Sequence, residues 1–202
     1  DQLPVEALTA ARALQPLARP DDGVIARKPH VAFHAGVRAV PFPFARTIPE
    51  LAAYAHAQRA RWLFVSWPEV ETRPAFYALL DTSATVPGLT ARAVTRPHPA
   101  VLYEIGGGFG PAPAWASNDT LRALHVARGR LLVNPHDREA LAALGDVARF
   151  TGHLPASVAK RMMITVSTLA PSAYPGGAII GNGDPYKIYG YEAMKLILDG
   201  LN

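Results

Sequence analysis

Apolar residues near the start of the chain recur at three- and four-residue intervals. Leu3, Ala7, Ala10, Ala11 and Leu14 fall on one side of a helix predicted over Pro4–Leu17, with Pro4 tolerated in its first turn. Pro16 and Pro20 end it, and Asp21-Asp22-Gly23 reads as a turn. Val24-Ile25-Ala26 is a short apolar run of the kind that forms a buried strand. His30–Ala35 follows as one helical turn closed by Gly36. Val37–Phe44 carries too many prolines for a central strand.

The next stretch is better punctuated. Thr47 is placed to cap a helix, Pro49 falls in its first turn, and Glu50 stands three residues after the cap. Leu51, Tyr54, Ala55 and Gln58 run along the following turns, and Arg59–Arg61 read as a basic helix end facing the negative pole of the dipole. Trp62–Trp67 is apolar at both parities, which predicts a strand covered on both faces, with Trp62, Phe64 and Trp67 as core aromatics. Pro74–Leu80 is a further short helix. Leu89–Thr95 and Ala100–Ile105 are strands joined around Arg96-Pro97-His98-Pro99.

The expected fold class is therefore α/β: a small compact sheet flanked by helices over residues 1–105. A Gly/Pro linker is expected at 106–116, then a helical hairpin at 117–157 with Ser117 or Asn118 as cap, a turn at Asn134–Asp137 and a second helix from Arg138 to Thr151 closed by Gly152. Residues 158–202 read as a strand (Met162–Leu169), a loop (Ala170–Pro185) and a closing helix (Tyr186–Leu201).

Composition narrows the classes. Half of the 202 residues are apolar and 18% are charged, enough to build a core and too apolar for a disordered chain. The absence of cysteine excludes a disulfide scaffold and a thiolate metal site. No run approaches the roughly 18 apolar residues of a membrane span. Asp1 in place of methionine suggests an excised or processed piece. The net charge of +4 is dispersed rather than interleaved with aromatics, so no nucleic-acid partner is expected. Its cations are unevenly chosen: residues 1–159 hold one lysine and fifteen arginines, whereas Lys160, Lys187 and Lys195 accompany Arg161 alone afterwards. Lysine and arginine serve equally at most surface positions, so this switch marks a tail of different origin.

The densest polar cluster is Arg27, Lys28, His30 and His34. At a strand end these side chains suit a lipid-linked phosphate or an anionic head group. His30 and His34 stand at i, i+4, but the HExxH pattern is missing and no carboxylate neighbours them in sequence, so no metal is expected. Gly106–Gly110 lacks a phosphate-loop lysine and runs into Pro111 and Pro113. No GxSxG elbow is present, and Ser66 and Ser83 lack sequence support as nucleophiles. No catalytic residue and no cofactor is expected.

Three resemblances add to this reading. GVIARKPHVAFHAG at 23–36, TIPELAAYAHAQRARWLFVS at 47–66, RPAFYALLD at 73–81 and PAVLYEIG at 99–106 resemble the C-terminal soluble region of bacterial membrane glycosyltransferases of the dolichyl-phosphate-mannose mannosyltransferase type, which use polyprenyl-phosphate sugars. In that family the catalytic carboxylate lies near the first membrane helices, and this chain has no counterpart of that loop. The resemblance thus implies a non-catalytic, extracytoplasmic accessory domain whose partner is the membrane portion of a parent transferase. Residues 121–157 resemble a tetratricopeptide repeat, through Leu141, Leu144, Gly145, Ala148, Gly152 and Ser157, which implies an alternative role in binding a protein partner. ITVSTLAPSAYP at 164–175 and DPYKIYGYEAMKLILDGLN at 184–202 resemble the end of a periplasmic branched-chain amino-acid-binding protein, implying a second alternative, a fragment or variant of a transporter's solute-binding protein.

Overall fold

The computed structural model describes residues 5–151. The expected linkage of a strand, a loop and a helix after residue 158, and the start of a second repeat helix near Ser157, lie outside the described residues. Among those described, the chain is an α/β protein. Contacts divide it into two compact units, the first ending at Pro135 and the second beginning at His136.

The first unit is organised by a five-stranded sheet of β1 (Gly23–Ala26), β2 (Arg38–Pro41), β3 (Ala60–Ser66), β4 (Leu89–Thr95) and β5 (Ala100–Ile105), in the order β2-β1-β3-β5-β4. β1 runs parallel to β2 and β3, while β5 is antiparallel to both β3 and β4. The proline-rich run after Val37 does become a strand, and it takes the edge, where Pro41 owes no ladder hydrogen bond on its outer side.

The alternation along β1, β3 and β5 sorts the core into two layers. Val24, Ala26, Trp62, Phe64, Ala100 and Leu102 face one side, packed with Ala7, Ala10, Ala11 and Leu14 of helix α1 (Val5–Leu14) and with Val31 and Ala32 of helix α2 (His30–Ala35). Ile25, Leu63, Val65, Val101 and Tyr103 face the other, against helix α3 (Ile48–Ala57), helix α4 (Trp67–Thr72) and the 3-10 segment Pro74–Leu80. Full burial of each such large apolar side chain contributes roughly 1.5–3 kcal/mol, so both layers matter to the fold. The local signals work as read: Thr47 Oγ1 accepts from Glu50 N at 3.3 Å, and the Glu50 carboxylate reaches back to Arg46 N at 2.8 Å.

Several details differ from the sequence reading. α3 ends at Ala57, and Arg59 turns the chain in the left-handed region (φ 49°), so Arg61 belongs to β3 rather than to a helix end. There it bridges Asp22 and Glu104, at 3.4 and 2.9 Å. Trp67 leaves β3 and opens α4, because Pro68 cannot continue a ladder but fits a first helical turn. The stretch 106–116 carries Phe109 and Trp115 into the core, and Trp115 Nε1 donates to Thr85 O at 2.9 Å. Its apolar anchors outweigh its glycines, so it packs rather than spans.

Helix α5 (Asp119–Val133) is capped by Asn118, whose Oδ1 accepts from Leu121 N at 3.0 Å. It lies against the 3-10 segment so closely that a Cβ at Gly129 would sit 1.9 Å from Tyr77 O. In the second unit, helix α6 (Arg138–Thr151) is capped by Asp137, which accepts from Ala140 N at 3.1 Å. Ala140, Leu144 and Val147 form its buried stripe. Gly129→Ala should destabilise the protein by about 1–3 kcal/mol, since backbone must move to admit the methyl group. Gly110→Ala, with open space around its Cβ, is the control; denaturant titration of both variants checks this, and equal midpoints would contradict the close approach.

Candidate binding edge

β1 is followed by α2 and leads outward to β2, while α3 returns the chain to β3 on β1's other side. Right-handed crossovers in opposite directions must place their helices on opposite faces, as α2 and α3 are. The connections leaving β1 and β3 therefore diverge at the carboxyl ends of two neighbouring strands. Open α/β sheets bind ligands at such a switch point.

Arg27 and Lys28 directly follow Ala26 at the end of β1, and both are exposed. His30 opens α2, and exposed His34 stands four residues further on, about 6 Å along the axis. Of the four residues singled out from sequence, Arg27, Lys28 and His30 thus sit at the strand end, and His34 follows on α2 beside Phe33, with ring centroids 5.2 Å apart; its carbonyl accepts from Gln15 Nε2 of the α1 connection at 2.8 Å. Among the described residues no three histidines or carboxylates lie together in a way that would hold a metal ion.

From β3 the edge receives residues the sequence reading passed over. Glu69 of α4 is 0% exposed, and its Oε1 pairs with Arg73 one turn later. Its Oε2 is buried without a hydrogen-bond partner. Burial raises the Glu69 carboxyl above its ordinary 4.5, and the nearby charges of Arg73 and then Arg27 oppose that rise without cancelling it. Arg73 is itself pinned: its Nε donates to Pro43 O at 3.0 Å, and its guanidinium lies over the rings of Phe42 and Phe44 at 5.2 and 5.3 Å. The signal was present as Glu69 and Arg73 at i, i+4 with Ser66 and Pro68 ahead of them, a helix start hidden by extending the strand to Trp67.

The β4–β5 turn joins the same edge, because Ala100 pairs with both Ser66 and Thr95. Trp67 N donates to Pro99 O at 2.9 Å, and the Trp67 and His98 rings lie 6.4 Å apart.

A second polar cluster lies elsewhere. Asp81 Oδ1 accepts from Ser83 N at 3.0 Å and Ser83 Oγ at 2.6 Å, and its Oδ2 accepts from His125 Nδ1 at 2.8 Å. Arg128 Nη1 donates to Ser83 Oγ at 2.8 Å. The trio has the residue types of a hydrolase triad but not its order. The serine proton goes to the carboxylate rather than to the imidazole, so no base is set to activate Oγ. The cluster ties α5 to the loop after the 3-10 segment.

Comparison with protein-family models, curated proteins and solved structures gives no match for this chain. The edge is therefore interpreted from its own chemistry. It combines exposed cations with aromatic rings, a set suited to holding an anionic group.

Two opposite pH responses follow. Hydrogen bonds and arginine charge outweigh burial at Asp22 and hold it low, and bonds from Arg92 and Arg61 lower Glu104; their contribution is lost as pH falls through those lowered values. Glu69, raised, contributes most below 4.5 and loses that contribution as pH climbs through its folded value. The stability of the native protein relative to Glu69→Gln should therefore be greater at pH 4 than at pH 7. Denaturant unfolding at both pH values measures it, and a constant difference would contradict the raised carboxyl.

Proposed function

We propose that this chain is a non-catalytic accessory domain on the extracytoplasmic side of a membrane glycosyltransferase-like protein of the polyprenyl-phosphate-sugar type. Its task is to hold the phosphate of a lipid-linked donor near the membrane portion of the parent, which performs the transfer. The observation that carries this reading is the placement of exposed Arg27 and Lys28 at the switch point of the sheet, with His30 beside them. Guanidinium and ammonium groups suit a phosphate monoester or diester, and the imidazole supplies a further N–H donor.

The segment resemblances at 23–36, 47–66, 73–81 and 99–106 support the same reading, because they cover β1, α2, α3, β3 and β5, which frame the strand end carrying Arg27 and Lys28. The polar interior groups of the first unit also have structural duties: Asp81, Ser83 and His125 hold α5, and Asp22 anchors Trp62 Nε1 at 3.0 Å. Among the described residues no helix is long and apolar enough to cross a membrane, so in this reading the spanning part belongs to the parent.

Incubating the purified chain with a polyprenyl-phosphate sugar and an acceptor should give no turnover, and robust transfer would overturn the accessory role. A short, water-soluble polyprenyl phosphate should bind saturably by calorimetry. Arg27→Ala with Lys28→Ala should weaken that binding by at least about tenfold, the loss expected for two charge-assisted contacts. Absence of binding by the native chain would remove the phosphate-holding role.

A further inference from the structure

We propose that the carboxyl edge of the parallel strands is a peripheral membrane-docking surface. Phe33 and Phe44 enter the head-group layer of an anionic leaflet, while Arg27, Lys28, Arg46 and Arg96 meet its phosphates. This goes beyond the accessory-domain reading, since it requires neither a transferase nor a lipid-linked sugar.

The first observation is where the exposed apolar side chains lie. Among the described residues the large apolar side chains left in solvent are Val5, Leu17, Phe33, Phe44, Val94 and Leu121. Phe33 is 80% exposed and Phe44 95%, whereas none of the other four exceeds 57%. Both phenylalanines follow the carboxyl ends of adjacent strands, Phe33 in the first turn of α2 after β1 and Phe44 three residues beyond β2. Topology therefore sends the two most exposed rings out from the carboxyl ends of neighbouring strands. A single exposed leucine or valine is ordinary, but two solvated aromatic rings on one edge mark an interaction surface.

Charge identifies the occupant. Arg27 and Lys28 leave β1, Arg46 precedes α3, and Arg96 lies in the β4–β5 turn that shares this edge; all four are exposed. The carboxylates nearby are Glu50, Glu69 and Glu71. Glu69 is buried and paired with Arg73, whereas Glu50 and Glu71 are exposed, so four exposed cations face two exposed carboxylates. Cations thus dominate what the edge presents. An anionic leaflet attracts such cations over a Debye length, on the order of fivefold in affinity for each one near the surface. The Arg73 guanidinium lies 5.3 Å from the Phe44 ring, yet Phe44 stays 95% exposed, so the ring is free to enter a head-group layer. The cations draw the edge to the surface, and the rings then gain an apolar environment that water denies them.

Co-sedimentation of the full chain with vesicles of phosphatidylcholine alone, and with about one third phosphatidylglycerol, tests the surface. Binding is expected to the anionic vesicles and to weaken as salt rises. Phe33→Ser with Phe44→Ser should weaken it by at least about tenfold while lowering the thermal midpoint by no more than about 4 °C, because both rings are largely in water and Phe44 gives up only an exposed contact with Arg73. Arg27→Gln with Lys28→Gln should weaken it by on the order of twentyfold. Failure to bind anionic vesicles, equal binding to neutral ones, or native affinity in the phenylalanine variant would each overturn the proposal. So would retention on single-stranded RNA that the phenylalanine variant loses to the same degree, which would assign the edge to nucleic acid. These vesicles hold no polyprenyl phosphate, so a negative result leaves the donor-binding reading to its own calorimetric test.

Discussion

Burial of β3 on both faces is the constraint from which the rest of the first unit follows. Trp62 and Phe64 need cover on one side, Leu63 and Val65 on the other. A strand of this kind is stable only between two layers, so a helix-bearing connection is required on each face. α2 and α3 satisfy that requirement by crossing in opposite directions around β1. The same requirement separates the chain segments that leave β1 and β3, and it opens the edge on which Arg27, Lys28 and Glu69 meet. The candidate site is thus a consequence of core packing before it is anything else.

The sequence was most legible where one local signal sufficed. Thr47 with Glu50 marked the start of α3, Asn118 capped α5, and the double-sided apolar run at residues 62–66 marked the central strand. It misled where two signals competed. Trp67 continues the apolar run but is followed by Pro68, and the proline decides the matter in favour of α4. Gly106–Gly110 has the composition of a linker, yet Phe109 in its middle is buried and Gly88 meets it so closely that a Cβ there would lie 1.9 Å from Phe109 N. Composition averages over such a segment, whereas packing depends on its one large apolar side chain.

The candidate site divides along the same line. Arg27, Lys28 and His30 are contiguous in sequence and could be read as a cluster. Glu69, Arg73, Phe44 and Arg96 come from three further connections, and only the strand order and register reveal that they share an edge with the first group. His34 follows from the same cluster by its i, i+4 spacing, and it stands on α2 beside the exposed Phe33, with ring centroids 5.2 Å apart.

The two buried carboxylates show where the molecule has left its interactions incomplete. Asp81 accepts from Ser83 N, Ser83 Oγ and His125 Nδ1, so both of its oxygens are engaged and its burial is compensated. Glu69 has Arg73 on one oxygen and nothing on the other. Full burial of such a group works against folding, and apolar packing alone would be met more simply by a leucine at that position. The uncompensated group stands at the one edge where the connections diverge and the exposed cations and rings gather. Asp81 therefore accounts for how α5 is held, while Glu69, in tension with its surroundings and within electrostatic reach of Arg27, couples the interior of the first unit to the exposed cations at the strand ends.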